Sequence, residues 1–344
     1  MKILFHENQL SYRGTSNAVY NYALFNEEYL NNESIIIHNK NNKNNFLPAI
    51  EKFKKRFEVF SYSNVNEIES IVSKTNTDIF YAIKAGKNDG IIANNCKSVI
   101  HSVFKYHEPH GDVYAYVSEW LSKEMTNGTA PFVPHMISVE KTNEDLREAL
   151  SIPKDAIVFG RHGGDTTFDL PFVKKLIAEI SKKRKDIYFL FLGTNSFVFK
   201  SIFTPYKNII FLPKSQDEQF KAKFINTCDA YLHARKQGES FGIAVGEFSV
   251  CNKPVITWGG SDEKSHIDIL GEKAIIYNDA NDLRQIIENF KVDKIKIGTL
   301  IQRNMRRRLS WISLSMFLLI KTKSLYFAKP RQRISLRKVS LLKT

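Results

Sequence analysis

Strand-like apolar runs alternate with longer amphipathic stretches along most of the chain. This alternation predicts parallel βα units, because parallel strands are covered on both faces while the connecting helices need only one apolar stripe. The chain has 344 residues, enough for two such domains with complete cores. We therefore predict an α/β protein with two doubly wound, Rossmann-like domains.

The predicted elements divide the chain into two halves joined by a crossover at residues 132–137. We expect the two domains to face each other across a cleft, with ligands at the carboxyl ends of the strands. The first domain, residues 1–135, has predicted strands at 3–6, 34–38, 58–61, 78–83, 98–103 and 114–118 and a helix at 15–30. The second, residues 136–293, has predicted strands at 156–161, 187–193, 208–212, 230–233, 254–257 and 274–277, and helices at 169–183, 216–227, 242–251 and 281–290.

The basic charge of the chain is confined to its last 51 residues. The formal net charge is +14, yet residues 1–293 hold 36 basic and 36 acidic side chains. Residues 294–344 hold 14 Lys and Arg and no Asp or Glu. A basic groove along the whole chain is therefore absent from the sequence, and we expect no nucleic-acid partner.

This basic tail, residues 294–344, has three possible interpretations. It contains a mostly apolar stretch at 309–320 between basic clusters, too short to span a bilayer but suited to an anionic membrane surface. The alternatives are a closing helix with a basic solvated face and a disordered end, or a tail foreign to this fold. The three scattered cysteines and the strand-like start predict a cytoplasmic protein, either free or peripheral at the inner membrane face.

Two carboxylates, Glu239 and Glu247, lie eight positions apart in the most informative segment of the chain. The small-residue run at 242–246 predicts the start of a tightly packed helix, which Pro254 ends before a buried strand. A helix N-terminus binds anions because its first amides are unpaired and its dipole end is positive. Two carboxylates beside such an end suit a ligand with hydroxyls on both sides of a phosphate, such as a nucleotide sugar.

The order of several motifs resembles the retaining glycosyltransferases with the GT-B fold, specifically the family 4-like group. Glu239 and Glu247 match the Glu-x7-Glu signature of that group. The resemblance runs from residue 1 to about residue 290. Further matching segments are Tyr12-Arg-Gly-Thr-Ser16, Val99-Ile-His101, Tyr116-Val-Ser-Glu-Trp120, Ile157-Val-Phe-Gly-Arg161, Phe189-Leu-Phe-Leu-Gly193 and Asn208-Ile-Ile-Phe-Leu212.

The resemblance implies a role for each matching residue. Glu239 would contact the hydroxyls of the donor sugar, and His101 would face that sugar from the first domain, so these two are the implied catalytic residues. Glu247 would hold the ribose hydroxyls and Arg161 the diphosphate. The other implied donor-binding residues are Ser240, Phe241, Gly242, Ile243, Gly14 and Thr15.

One departure from the family pattern concerns the diphosphate. The family usually adds a lysine about five residues after the arginine, but residues 162–167 contain none. Lys236, Arg235 and the amides of residues 162–164 are the candidates to replace it.

The function implied by the resemblance is transfer of a sugar, with retention, from a nucleotide sugar to a hydroxyl of a glycan, a glycolipid or a protein glycan. A UDP- or GDP-sugar is the expected donor. No Asp-x-Asp occurs, so we expect no divalent metal and no cofactor besides the donor. Three other functions stay open: a sugar-nucleotide epimerase of the same fold, a binding protein that kept the architecture without activity, and a nucleic-acid binder that acts through the basic tail.

Overall fold

The computed structural model describes residues 1–198, 206–215 and 217–292. Within these residues the chain forms two six-stranded sheets in which every strand is parallel to its neighbours. Helices lie on most of the connections between the strands, as the alternating sequence pattern predicts, but the connections at residues 85–96 and 103–112 contain none. No helix among the described residues is long and apolar enough to cross a membrane.

The first sheet is built from the N-terminal part of the chain. All six residues of its fourth strand are buried, since this strand lies inside the sheet with helices on both faces. Its strands are β1 (Lys2–Glu7), β2 (Glu33–Asn39), β3 (Glu58–Tyr62), β4 (Ile79–Lys84), β5 (Lys97–Ser102) and β6 (Val113–Tyr116), in the spatial order β3-β2-β1-β4-β5-β6. Its helices are α1 (Gly14–Leu30), α2 (Leu47–Lys54), α3 (Glu67–Thr75) and α4 (Glu119–Thr126).

The second sheet has the same doubly wound organisation. Its strands are β7 (Ile157–His162), β8 (Ile187–Leu192), β9 (Ile209–Leu212), β10 (Ala230–Leu232), β12 (Val255–Trp258) and β14 (Ala274–Tyr277), in the order β14-β12-β10-β7-β8-β9. A separate two-stranded pair is formed by β11 (Gly238–Glu239) and β13 (Glu263–Lys264). The helices are α5 (Pro171–Lys183), α6 (Glu218–Thr227), α7 (Ile243–Val250), α8 (Ser265–Leu270) and α9 (Ala280–Glu288).

Short local signals fix where several helices begin. Ser118 accepts a hydrogen bond from the amide of Leu121 at 3.1 Å and so caps α4. Asp217 caps α6 in the same way, through the amides of Gln219 and Phe220. Each cap satisfies amides that have no partner inside the helix. Because α4 follows β6 and α6 follows β9, both helices begin beyond the carboxyl ends of their strands.

Each sheet has a switch point, where the strand order reverses. In the second sheet it lies between β7 and β10, because the chain builds β8 and β9 outward from β7 and then returns to place β10 on its other side. In open α/β sheets ligands bind in the crevice beyond the carboxyl ends of the strands at this point. The residues that follow β7 and β10 are therefore the first place to look for a site.

The predicted pair of doubly wound sheets is confirmed, and each predicted strand lies within about two residues of an observed one. Glu239 lies in the short strand β11, which was not among the predicted strands. The helices α2, α3, α4 and α8 are additional to those predicted. The domain boundary near residue 135 stays a prediction, and the basic tail at 294–344 lies outside the described residues.

Candidate functional site

Two residues mark the switch point of the second sheet. Arg161 lies near the end of β7, and His233 directly follows β10. The side chains of both are almost completely buried. A charged guanidinium and an imidazole thus lie on the two strands that border the crevice.

Arg161 is held by neutral oxygen atoms. Its Nη1 donates to the carbonyl of Gly164 at 3.1 Å and to the hydroxyl of Thr194, and its Nη2 donates to the hydroxyl of Thr167 at 2.5 Å. Among the described residues no carboxylate forms an ion pair with it. Burial lowers the pKa of Arg161, but a guanidinium stays protonated in proteins. The site therefore holds a buried positive charge that an anion would neutralise.

Glu239 is fixed through both of its oxygen atoms. Its Oε1 lies 3.3 Å from Nε2 of His233, and its Oε2 accepts from Nη1 of Arg235 at 3.0 Å. Its side chain keeps 26% of its surface exposed. Burial opposes ionisation, but the hydrogen bond from His233 and the charge of Arg235 outweigh it and hold the pKa of Glu239 at about 2. The carboxylate is therefore charged, oriented and still accessible.

Glu247 is more deeply buried, on the inner side of α7. Its Oε1 accepts from Nζ of Lys221 at 2.6 Å, and its Oε2 lies 2.8 Å from Nε2 of His162. Burial raises the pKa of a carboxyl group, but here Lys221 and then His162 reverse the effect and hold the pKa of Glu247 at about 2. Lys221 in turn pairs with Glu218 at 2.7 Å.

The segment at the start of α7 joins the second sheet to the first. Phe241 packs in the hydrophobic core of the first sheet, with its ring centroid 5.0 Å from that of His135. The carbonyl of Ser240 accepts a hydrogen bond from the hydroxyl of Ser118 at 2.6 Å. The residues between Glu239 and Glu247 are therefore held by both halves of the molecule.

Gly242 is the residue that turns the chain into α7. Its φ of +92° lies in the left-handed region, where a Cβ is strained. A Cβ here would also lie 3.2 Å from the Cβ of His266. The prediction that residue 242 begins the helix agrees with the structure, in which Gly242 is the N-cap and Ile243 the first helical residue.

Gly14 and Ile243, both predicted on the donor side, are brought together. Gly14 begins α1, and a Cβ on it would lie 3.2 Å from Cδ1 of Ile243. The hydroxyl of Thr15 is already used inside the first half of the chain, where it donates to Oε1 of Glu7 at 3.3 Å. Gly14 therefore faces the start of α7 directly, and Thr15 has only its main chain to offer.

His101 lies at the end of β5 with none of its surface exposed. Its Nδ1 forms a hydrogen bond with the hydroxyl of Tyr81 at 3.0 Å, and its Nε2 has no partner among the described residues. Burial lowers the pKa of His101 to about 4, so the ring is neutral. The ring of His135, 5.6 Å away, lies next to it and next to Phe241. The ring of His135 therefore lies between His101 and Phe241, next to the start of α7.

Several residues of the site were not predicted from the sequence. Thr167 and Thr194 hold Arg161, while Lys221 and His162 hold Glu247. Of the candidates to replace the family's lysine, Arg235 binds Glu239 instead. Only His233 had a readable signal, as the last residue of a predicted strand. Within the described residues no group of three or more His, Cys, Asp or Glu is arranged to hold a metal ion.

No model of a known protein family matches the sequence, and no curated protein matches it. Solved structures do match. A glycosyltransferase from Rickettsia africae is similar with a TM-score of 0.68 and 15% identity, over 94% of this chain and 99% of that one. HepE from Anabaena, in complex with UDP and glucose, gives a TM-score of 0.67 and 12% identity, over 94% and 100% of the two chains.

A protein of Listeria monocytogenes, assigned as a UDP-N-acetylglucosamine 2-epimerase, is also similar. It gives a TM-score of 0.56 at 11% identity, over 87% of this chain and 90% of that chain. At these identities the similarity concerns the fold. The chain therefore has the GT-B fold, as the sequence predicts, with two Rossmann-like sheets facing each other.

Proposed function

We propose that this protein is a retaining glycosyltransferase that moves a sugar from a nucleotide sugar to a hydroxyl group. One observation carries the proposal: Arg161, a buried cation without a carboxylate partner among the described residues, and Glu239, a fixed carboxylate, border the same switch point. A nucleotide sugar presents a diphosphate beside a ring of hydroxyls. These are the groups that such a cation and such a carboxylate bind.

The diphosphate is assigned to Arg161 and to the start of α7. Arg161 is preorganised by Thr167, Thr194 and Gly164, so little conformational entropy is lost when an anion binds. The first amides of α7, beginning at Ile243, add donors and the positive end of the helix dipole. Both contacts stabilise the negative charge that grows on the diphosphate as it leaves the sugar.

The sugar is assigned to Glu239. Because its pKa is about 2, the carboxylate is ionised at neutral pH and accepts hydrogen bonds from sugar hydroxyls. As the bond to the diphosphate breaks, the sugar ring gains positive charge, which a fixed carboxylate stabilises. The ribose is assigned to Glu247. A carboxylate accepts about four hydrogen bonds, so two sites remain after Lys221 and His162 have bound.

The acceptor is assigned to the first half of the chain. Its hydroxyl would approach the face of the sugar from which the diphosphate departs and pass its proton to a diphosphate oxygen, which retains the configuration. His101 would need a movement of His135 before it could touch the sugar, because no part of its ring is exposed. No step of this mechanism uses a metal ion.

UDP-sugars are the first donors to test, because HepE, of the same fold, was solved with UDP and glucose.

The basic tail at 294–344 would hold the protein on an anionic membrane, where glycolipid acceptors lie. Sedimentation with anionic liposomes tests the tail: the full chain should sediment and a chain ending at Asp293 should not. Equal sedimentation would remove the membrane contact.

The proposed function is tested by thermal-shift measurements with UDP-, GDP- and ADP-sugars, followed by assays of nucleotide release. A donor that binds only the folded state raises its melting temperature. We expect one class of nucleotide sugar to do so and to release its nucleoside diphosphate slowly in water and faster with an acceptor. If no nucleotide sugar binds or turns over, the proposal is wrong.

A sugar-nucleotide epimerase is the second candidate, because the Listeria monocytogenes protein shares the fold. The two functions differ in what happens to a donor without an acceptor. An epimerase converts the intact nucleotide sugar into its epimer, and a glycosyltransferase only hydrolyses it. Proton NMR of the nucleotide sugar during incubation separates the two results.

A further inference from the structure

Behind Glu239, three buried side chains form a continuous chain of hydrogen bonds. Nε2 of His266 lies 2.9 Å from the hydroxyl of Thr257, and the same hydroxyl lies 2.9 Å from Nδ1 of His233. The other ring nitrogen of His233 lies 3.3 Å from Oε1 of Glu239. Thr257 and His266 have no exposed surface, and His233 has almost none. The chain therefore leads from the interior of the second sheet to the exposed carboxylate.

The position of each proton follows from the end of the chain that is most deeply buried. Nδ1 of His266 has no partner among the described residues. A buried N–H without an acceptor costs more than a bare ring nitrogen, so the proton of His266 lies on Nε2 and points at Thr257. Burial lowers the pKa of His266 to about 3, which agrees with a neutral ring carrying a single proton.

The remaining directions are then fixed. The hydroxyl of Thr257 accepts from His266, and Nδ1 of His233 is its one other hydrogen-bonding partner among the described residues, so its single hydrogen is donated to that nitrogen. A bare Nδ1 leaves the ring proton of His233 on Nε2, where it points at Oε1 of Glu239. All three hydrogen bonds run in one direction, toward the carboxylate.

We propose that Thr257 and His266 are positioning residues that lock His233 in the Nε2–H form and thereby hold Glu239 in its working orientation. This inference rests on the proposed function for its consequence in catalysis but not for the tautomers. Without the hydroxyl of Thr257, Nδ1 of His233 loses its donor. The ring is then free to rotate or to move its proton away from Glu239, while Arg235 alone still holds Oε2.

The tautomers are tested without any substrate by ¹⁵N NMR of the protein labelled at histidine. We expect His233 and His266 both to show a protonated Nε2 and a bare Nδ1 at pH 7.5. In Thr257→Val, which keeps the shape and removes the hydroxyl, the signals of His233 should shift or broaden. A proton on Nδ1 of either ring in the wild-type protein, or unchanged His233 signals in the variant, would overturn the proposal.

Kinetics test the consequence. Thr257→Val should lower kcat by about tenfold and change KM for the donor by less than about twofold, because the lost orientation matters most when charge develops on the sugar. Thr257→Ser keeps the hydroxyl and should restore most of kcat. Thr75→Val is the matched control, a buried hydroxyl in α3 that bonds Thr77 and the carbonyl of Ile71 and touches no site residue.

The results distinguish a failure of the proposed function from a failure of the positioning role of Thr257. If wild-type protein turns over no nucleotide sugar, the proposed function fails while the NMR result still decides the tautomers. If wild-type protein is active and Thr257→Val has the kcat of the wild type, the positioning role is wrong. If Thr257→Val does not fold, a Thr257→Ser variant with a kcat as low as about a tenth of the wild-type value would also contradict it.

Discussion

Lys52 and Glu218 form an ion pair, with 2.6 Å between Nζ and Oε1, although they belong to helices of different sheets. Glu218 also binds Lys221, and Lys221 binds Glu247. An unbroken series of ion pairs thus leads from α2, beside the first sheet, to the carboxylate that we assign to the ribose. The two halves of the molecule are linked through charge as well as through Phe241 and Ser240.

Lys52→Met should weaken nucleotide binding. Without Lys52, Glu218 keeps only Lys221 as a partner and draws it away from Glu247. We expect the Kd for the nucleotide to rise by about threefold at low salt, with a smaller effect at about 1 M salt, where charges are screened. Lys54→Met is the control, since Lys54 lies on the same helix and, among the described residues, pairs with the exposed Glu51 alone. Equal Kd values for the two variants, measured by calorimetry, would contradict the coupling.

Lys221→Met should destabilise the fold. It leaves Glu218 and Glu247 close together without the cation between them, and breaking a buried pair costs about 3 kcal/mol. Lys223→Met, on the same helix, removes a more exposed partner of Glu144 and should change the free energy of unfolding by less than about 0.5 kcal/mol. Urea titration of both variants measures this. Equal losses in the free energy of unfolding would show that the buried ion pairs of Lys221 contribute no more than the exposed pair of Lys223.

The ion pair between Lys221 and Glu247 predicts that the stability of the fold depends on pH. The pKa of Glu247 is about 2 in the folded protein against an ordinary 4.5, so its stabilisation is present above about pH 4.5 and is lost as the pH falls toward 2. Lys221→Met removes the main cation that lowers this pKa. The difference in free energy of unfolding between wild type and Lys221→Met should therefore be largest near pH 6 and shrink in acid. A difference that stays constant from pH 6 to pH 3 would contradict the assignment.

Much of the fold could be predicted because buried parallel strands appear in the sequence as continuous apolar runs. Residues 187–193 predict β8, which spans Ile187–Leu192, and Gly242 and Pro254 bracket α7. The short strands β11 and β13 could not be predicted, because two residues carry no periodicity. Their pairing is long-range, since Gly238 lies opposite Glu263, 25 positions further along the chain.

The candidate site was predicted only in part. Glu239, Glu247 and Arg161 were proposed because their order and spacing match a known pattern, with Arg161 near the end of a predicted strand and Glu239 and Glu247 on either side of a predicted helix start. Their partners could not. Lys221 is 26 positions from Glu247, and it reaches that carboxylate only because α6 packs beside α7. Contacts of this kind follow from packing in three dimensions and leave no local signal in the sequence.

Glu7 predicts a pH dependence of the stability that is opposite in sign to that of Glu247. It is buried at the end of β1, where burial raises its pKa to about 7 despite hydrogen bonds from Ser16 and Thr15. Because the folded pKa is above the ordinary 4.5, the wild type loses stability as the pH rises from about 4.5 to 7. Glu7→Gln should remove this loss and be more stable than wild type by about 3 kcal/mol at pH 8, relative to pH 4. If the free energy of unfolding changes with pH in the same way for wild type and Glu7→Gln, the raised pKa of Glu7 is contradicted.

The most direct test of the account is the rate at which the protein releases UDP from a UDP-sugar before and after Glu239→Gln. The wild type should release UDP, and Glu239→Gln should do so at least about 100-fold more slowly while its Kd for UDP changes by less than about twofold. Glu272→Gln, at an exposed position away from the site, should match the wild type. If Glu239→Gln releases UDP as fast as the wild type, the assignment of Glu239 as the sugar-binding carboxylate is wrong.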